Sequence, residues 1–100
     1  MYKHIVMWKL EEKAEGSSKQ ENALKLKSRL ESLRDTISEI RNIEVGIDTS
    51  CSENSFDLVF YSEFDSKESY HRYLDHPDHI KVSKFVGKVR LERIVVDYEV

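Results

Sequence analysis

The sequence predicts an α+β, ferredoxin-like single domain with the element order β-α-β-β-α-α-β, in which a four-stranded antiparallel sheet carries helices on one face. Three observations predict it. Four segments alternate apolar and polar residues with the two-residue period of a strand. The segments that connect the first strand to the second, and the third to the fourth, carry the three- and four-residue recurrence of amphipathic helices. The chain has 100 residues, 39% of them hydrophobic, which fills one small domain and leaves no room for two.

The first strand places Tyr2, His4, Val6, Trp8 and Leu10 on one face, with Ile5 and Met7 on the other between Lys3 and Lys9. Residues 11–17 read as a surface loop. Ser18 and Glu21 have capping-box spacing, so a helix starts there. Ala23, Leu26, Leu30, Leu33 and Ile37 form its buried stripe. Residues 39–49 read as the second strand, with Ile43, Val45 and Ile47 sharing a face. Residues 50–55 form a polar loop, and 56–64 the third strand, with Phe56, Leu58, Phe60 and Phe64 together and Ser62 the exception among them. Asp65 is the expected cap of a short helix that breaks before Pro77, because the residue before a proline avoids helical geometry. Pro77 suits the first position of a third helix, with Gly87 as its expected stop. The fourth strand is RLERIVVDYEV, residues 90–100.

Helices can cover only one face of such a sheet, yet strands one, three and four are apolar on both. A second subunit is the expected cover, in a homodimer through the open sheet face with Ile5, Met7, Val59, Tyr61 and Val95 in the interface. A net charge of -3 with interspersed signs makes nucleic acid a poor partner. No apolar run approaches the roughly 20 residues of a membrane span, and the first residues lack a signal-peptide pattern, so a cytoplasmic protein is expected. The single Cys51 excludes an internal disulfide and any multi-cysteine metal site.

The segment YLDHPDH at 73–79, with His4 in strand one, the FYSEFDS run at 60–66 and the closing RIVVDYEV, resembles the stress-responsive A/B barrel family of dimeric α/β barrel proteins. HPxH alone is a weak motif; its place between two helices, after F-x-S and before V-x-D-Y, makes the combination specific. The resemblance implies a homodimer in which two four-stranded sheets pack into a barrel. It also implies a pocket between sheet and helices, because the family includes olivetolic acid cyclase, a plant polyketide cyclase. The matching positions here are Tyr73, His79 and His4.

On chemistry, His79 is the strongest catalytic candidate, since an imidazole exchanges protons near neutral pH. It falls in the first turn of the third helix, where the helix dipole favours the neutral form. Tyr73 lies six residues earlier, and only the Pro77 break can bring the two together. His4 sits in an apolar stripe and must be hydrogen-bonded or pocket-lining. The plain alternatives are a packed histidine, a tyrosine roofing the core and a satisfied core histidine. Asp75, His76, Asp78 and His79 have metal-ligand types but not metal-ligand spacing, and helix capping already accounts for the acids. No metal and no cofactor is expected, as no phosphate loop or nucleophile elbow occurs. Two function classes compete: a cofactor-free cyclase, lyase or isomerase with His79 as general base, and a stress-related homodimer that binds an apolar or aromatic small molecule, or serves structurally, without turnover. The largest enclosed cavity is expected to touch His79.

Overall fold

In a computed structural model describing residues 1–100, the elements in chain order are β1 (Tyr2–Leu10), the short pair β2 (Lys13–Ala14) and β3 (Ser17–Ser18), α1 (Lys19–Thr36), β4 (Ile40–Ile47), β5 (Leu58–Phe64), α2 (Lys67–Asp75), α3 (Pro77–Val89) and β6 (Arg90–Glu99). The main sheet has the order β4-β5-β1-β6 with every neighbouring pair antiparallel. This is the ferredoxin-like arrangement read from the sequence.

The inner face of the sheet carries Val6, Trp8, Leu10, Ile43, Val45, Leu58, Phe60 and Phe64, all buried against the helices. Helix α1 supplies Ala23, Leu26, Leu30 and Leu33, the stripe expected from its periodicity, with Ile37 buried just past its end. Its start is the expected capping box: the Ser18 hydroxyl accepts the Glu21 N–H, and the Glu21 carboxylate accepts the Ser18 N–H. Ser62, the polar exception on the buried face of β5, donates its hydroxyl hydrogen to the His4 carbonyl across the strand pair. A fully buried hydroxyl is thereby satisfied.

Five local expectations need correction. Residues 11–17 are not plain loop: β2 and β3 pair as a hairpin whose turn residues, Glu15 and Gly16, have φ of 51° and 74°. Two successive left-handed residues match the twist of a two-residue hairpin turn. The buried Asn22 amide of α1 donates to the Ala14 and Ser17 carbonyls and ties the hairpin down. The cap of α2 is Ser66 rather than Asp65; its hydroxyl accepts the Ser69 N–H, while Asp65 pairs with Arg41. β5 begins at Leu58, because Phe56 leaves the sheet to lie under the Lys9 ammonium and Asp57 turns its carboxylate to the Leu10 N–H. Gly87 does not stop α3; the apolar stripe Val82, Val86 and Val89 continues past it, and Arg90 caps the helix in an extended conformation.

The fifth correction concerns the face of Val95. It stands opposite Val6 in the β1–β6 pair and so belongs to the inner face. The residues of β6 on the outer face are Ile94, Val96 and Tyr98, opposite Met7, Ile5 and Lys3. The alternation of β6 does not reveal which set points in, since both carry aliphatic residues. Strand pairing decides it.

Candidate active site

The break between α2 and α3 builds the site. In an uninterrupted helix the Leu74 carbonyl would receive the N–H of residue 78. Here the Asp78 N–H goes to the His76 ring instead, which caps α3 at Nδ1. The Leu74 carbonyl is left free and accepts from His79 Nδ1 at 3.0 Å. A carbonyl can only accept, so Nδ1 carries the hydrogen of the neutral ring, and Nε2 keeps the lone pair. The same break sets the Tyr73 ring 4.5 Å, centroid to centroid, from the His79 ring.

His4 is placed by the sheet. It stands directly opposite Asp97 in the β1–β6 register, and its Nδ1 contacts the Asp97 carboxylate. Its ring lies 4.8 Å from the Tyr70 ring and edge-on to Phe60. The carboxylate again fixes the hydrogen at Nδ1 and leaves Nε2 as the free atom.

His4, Tyr73 and His79 line one cavity of about 350 Å³, between the sheet residues Val6, Trp8 and Phe60 and the α3 residues Val82 and Val86. All three predicted residues therefore meet. The volume is at the lower end of ordinary small-molecule sites, roughly 300–1,000 Å³. It is not the largest concavity of the chain, contrary to expectation. A cleft of about 680 Å³ lies at the other end of β1, where the β2–β3 hairpin and the loop after β4 stand apart. Its walls include Lys9, Lys13, Lys19, Asp48, Glu53 and Asp57, a largely charged lining. The smaller cavity is the one where titratable groups converge on apolar walls. Asp75 and Asp78 add nothing to it, and no three His, Cys, Asp or Glu side chains come together as a metal-ligand group. Three lining residues escaped the sequence reading: Ser83, Arg90 and Arg93.

Burial pushes the His79 ring below the ordinary histidine value; the Leu74 hydrogen bond opposes this, and the positive charge of Arg93 and the neighbouring histidines reinforces it. Burial also lowers His4, against the opposing pull of Asp97. Burial raises both tyrosines: Tyr70 is pushed up to about 12, and the almost fully buried Tyr73 rises further, so both stay protonated donors at neutral pH. The linkage has a definite sign. The unfolded chain takes up the His79 proton near pH 6.5 while the folded chain resists it, so stability is lost as pH falls below that value. Urea midpoints should thus decline below about pH 6.5 more steeply for the wild-type chain than for His79→Gln. Equal pH profiles for the two would show that the ring titrates freely in the folded protein.

A ferredoxin-like sheet covered on one face by three helices, with a histidine–tyrosine pair at the α2–α3 break and a second histidine on β1 lining the same cavity, defines a small pocket-bearing α+β protein. The chain belongs to the stress-responsive A/B barrel domain family, whose model matches residues 2–100. Among solved structures, a dimeric ferredoxin-like protein of unknown function from Bacteroides fragilis is 34% identical, covering 99% of this chain and 95% of that one, with a TM-score of 0.87. A dimeric ferredoxin-like protein of unknown function from Thermobifida fusca is 19% identical over 99% of this chain and 90% of its own, with a TM-score of 0.84. A hydroxynitrile lyase from Passiflora edulis is 18% identical over 99% of this chain and 92% of its own, with a TM-score of 0.80. At these last two identities the likeness shows the fold alone. No protein of curated function matches the chain in sequence. No helix is long and apolar enough to cross a membrane.

Proposed function

We propose that the protein is a homodimeric, cofactor-independent enzyme of the cyclase, lyase or isomerase kind, in which His79 removes a proton from a carbon next to a carbonyl. The observation that supports this reading is the His79 Nδ1 bond to the Leu74 carbonyl, which leaves Nε2 free to accept a proton beside the Tyr73 ring. Burial keeps the ring neutral and ready to accept a proton at pH 7. The enolate that forms needs a donor, and the Tyr73 hydroxyl, on the ring packed beside His79 and protonated at neutral pH, supplies it. His4, held by Asp97, faces the same cavity and takes a second oxygen of the substrate. This chemistry requires neither metal nor nucleotide. That a hydroxynitrile lyase shares the fold is compatible with base chemistry in such a cavity, though it carries no residue assignment.

The homodimer rests on the outer sheet face. Across it run the rows Ile94–Met7–Val59–Gly46 and Val96–Ile5–Tyr61–Glu44. Met7, Ile94, Val96 and Tyr98 are each more than a third exposed. A continuous apolar sheet face of this kind is covered in stable proteins, and the Bacteroides fragilis and Thermobifida fusca relatives are described as dimers.

The test is a thermal-shift screen of aromatic and polyketide-type carbonyl compounds, followed by turnover assays on the hits. Product formed by the wild-type chain and lost in His79→Ala supports the enzyme reading. Hits that bind both proteins alike and are converted by neither leave a binding module.

A further inference from the structure

Proton transfer at His79 leaves two cavity residues unused, Arg90 and Arg93. The chain has six arginines. Arg41 pairs with Asp65 and Arg72 with Glu39, Arg34 donates to the Ile43 carbonyl, and Arg29 lies over the Phe85 ring. Arg90 and Arg93 take part in none of the ion pairs of the chain. The two guanidinium groups without a partner are thus the two that line this cavity.

Their placement is not that of ordinary surface arginines. Arg93 stands opposite Trp8 in the β1–β6 register, on the inner face of the sheet. Arg90 stands opposite Leu10 at the start of the same strand, so the two arginines enter this face side by side at the α3–β6 end. Of the acids on the same face of β6, Asp97 is held by His4 and lies four residues away, roughly 13 Å along an extended strand, and Glu99, opposite Tyr2, is farther still. Trp8 has a buried indole N–H with no acceptor in the chain. A buried orphan donor is destabilising unless something accepts from it. An unpaired cation and an orphan donor on adjacent strands both call for an acceptor that the protein does not supply. The way in is also marked. Ser83 and Gly87, one turn apart on α3, and the cap residue Arg90 are exposed, whereas Val82 and Val86 are buried. A Cβ at Gly87 would meet nothing within 4 Å, so the helix does not close against β6 there.

We propose that Arg93, with Arg90 beside it, binds a carboxylate at the mouth of the cavity, so that the ligand is an oxo acid. Its carboxylate lies at the α3–β6 opening, its apolar body along Phe60, Val82 and Val86, and its ketone end toward Tyr73 and His79. The assignment of the ketone end rests on the proton-transfer reading above; the carboxylate site does not. A guanidinium matches a carboxylate with two parallel hydrogen bonds, which an isosteric amide cannot reproduce.

Calorimetric titration with 4-oxo-4-phenylbutanoate and its primary amide tests this, alongside phenyl phosphate. The acid should bind at least about tenfold more tightly than the amide, a margin of about 1.4 kcal/mol. Arg93→Gln should abolish the preference and Arg93→Lys should restore part of it; Arg93 is exposed, and circular dichroism checks the fold. Quenching of Trp8, the single tryptophan, should accompany binding. Equal affinity for acid and amide, a preference that survives Arg93→Gln, or no binding at millimolar concentration would overturn the proposal. Tighter Arg93-dependent binding of phenyl phosphate would overturn the carboxylate assignment. His79→Ala separates the two readings. If it keeps the acid preference and turnover is also unchanged, the base role fails while the carboxylate site stands.

Discussion

Replacing His79 with alanine is expected to lower turnover by about 10²–10⁴-fold, the usual contribution of a positioned general base. The fold and the assembly should survive it. His79 is half-buried at the start of α3, and the hydrogen bond it makes to Leu74 is a local one. Its ring does not belong to the packed core of β1, β5 and α1. Circular dichroism and light scattering of the variant should therefore match the wild type. Tyr73→Phe is the companion variant. It keeps the ring contacts with Phe64, Tyr70 and His79 and removes only the hydroxyl. If that hydroxyl holds the enolate, the loss in transition-state stabilisation is roughly 2.7–4 kcal/mol. The pair of variants discriminates between roles. A large loss in His79→Ala with none in Tyr73→Phe would keep the base and remove the oxyanion donor. Unchanged turnover in His79→Ala would remove the mechanism altogether.

Much of this site could be read from residue order. Pro77 breaks the helix, and a break is what lets residues six apart face each other. The His4 position follows from strict alternation in β1. What residue order did not reveal is pairing. Asp97 becomes the partner of His4 only through the β1–β6 register, which depends on where the Lys9–Leu10 irregularity falls. The same register turns Val95 inward and brings Arg93 opposite Trp8. A strand that is aliphatic on both faces carries no internal signal of its orientation, so its functional residues become visible only once it is paired. Gly87 misled for a related reason. Glycine is favoured after a helix end, but the stripe of Val82, Val86 and Val89 carried α3 through it. Tertiary packing outweighs a preference of about 1 kcal/mol. The β2–β3 hairpin is hidden because two-residue strands leave no periodicity to detect, and Glu-Gly at 15–16 is not one of the Asn-Gly, Asp-Gly or Gly-Gly pairs that signal such turns.

The assembly yields the other large effect. Val59→Lys should convert the dimer to a monomer. Val59 lies at the centre of the outer sheet face, flanked in the register by Met7 and Gly46. Beside it Gly46 leaves a depression of about 490 Å³, bordered by Met7, Phe56 and Val59, into which a partner's side chain can fit. An isologous interface places the substituted position in both copies, so each dimer would bury two ammonium groups. No acid stands opposite Val59: Glu44 is opposite Tyr61 one row away, and Asp48, at the rim of the depression, already accepts from the Ser50 hydroxyl and the Cys51 N–H. Burying an unpaired charge costs several kcal/mol. At about 1.4 kcal/mol per tenfold, the dissociation constant should rise more than about 100-fold. Size-exclusion chromatography with light scattering at micromolar concentration reads this directly. The wild-type chain should elute at twice its 11.8 kDa mass, and the variant at the monomer mass. Leu24→Lys is the control. Leu24 is 63% exposed on α1, on the helical side of the sheet, so the same new charge there should leave the dimer intact. A wild-type monomer, or a Val59→Lys variant that still elutes as a dimer, would show that the outer face is not the interface. Its apolar rows would then have to be covered in some other way.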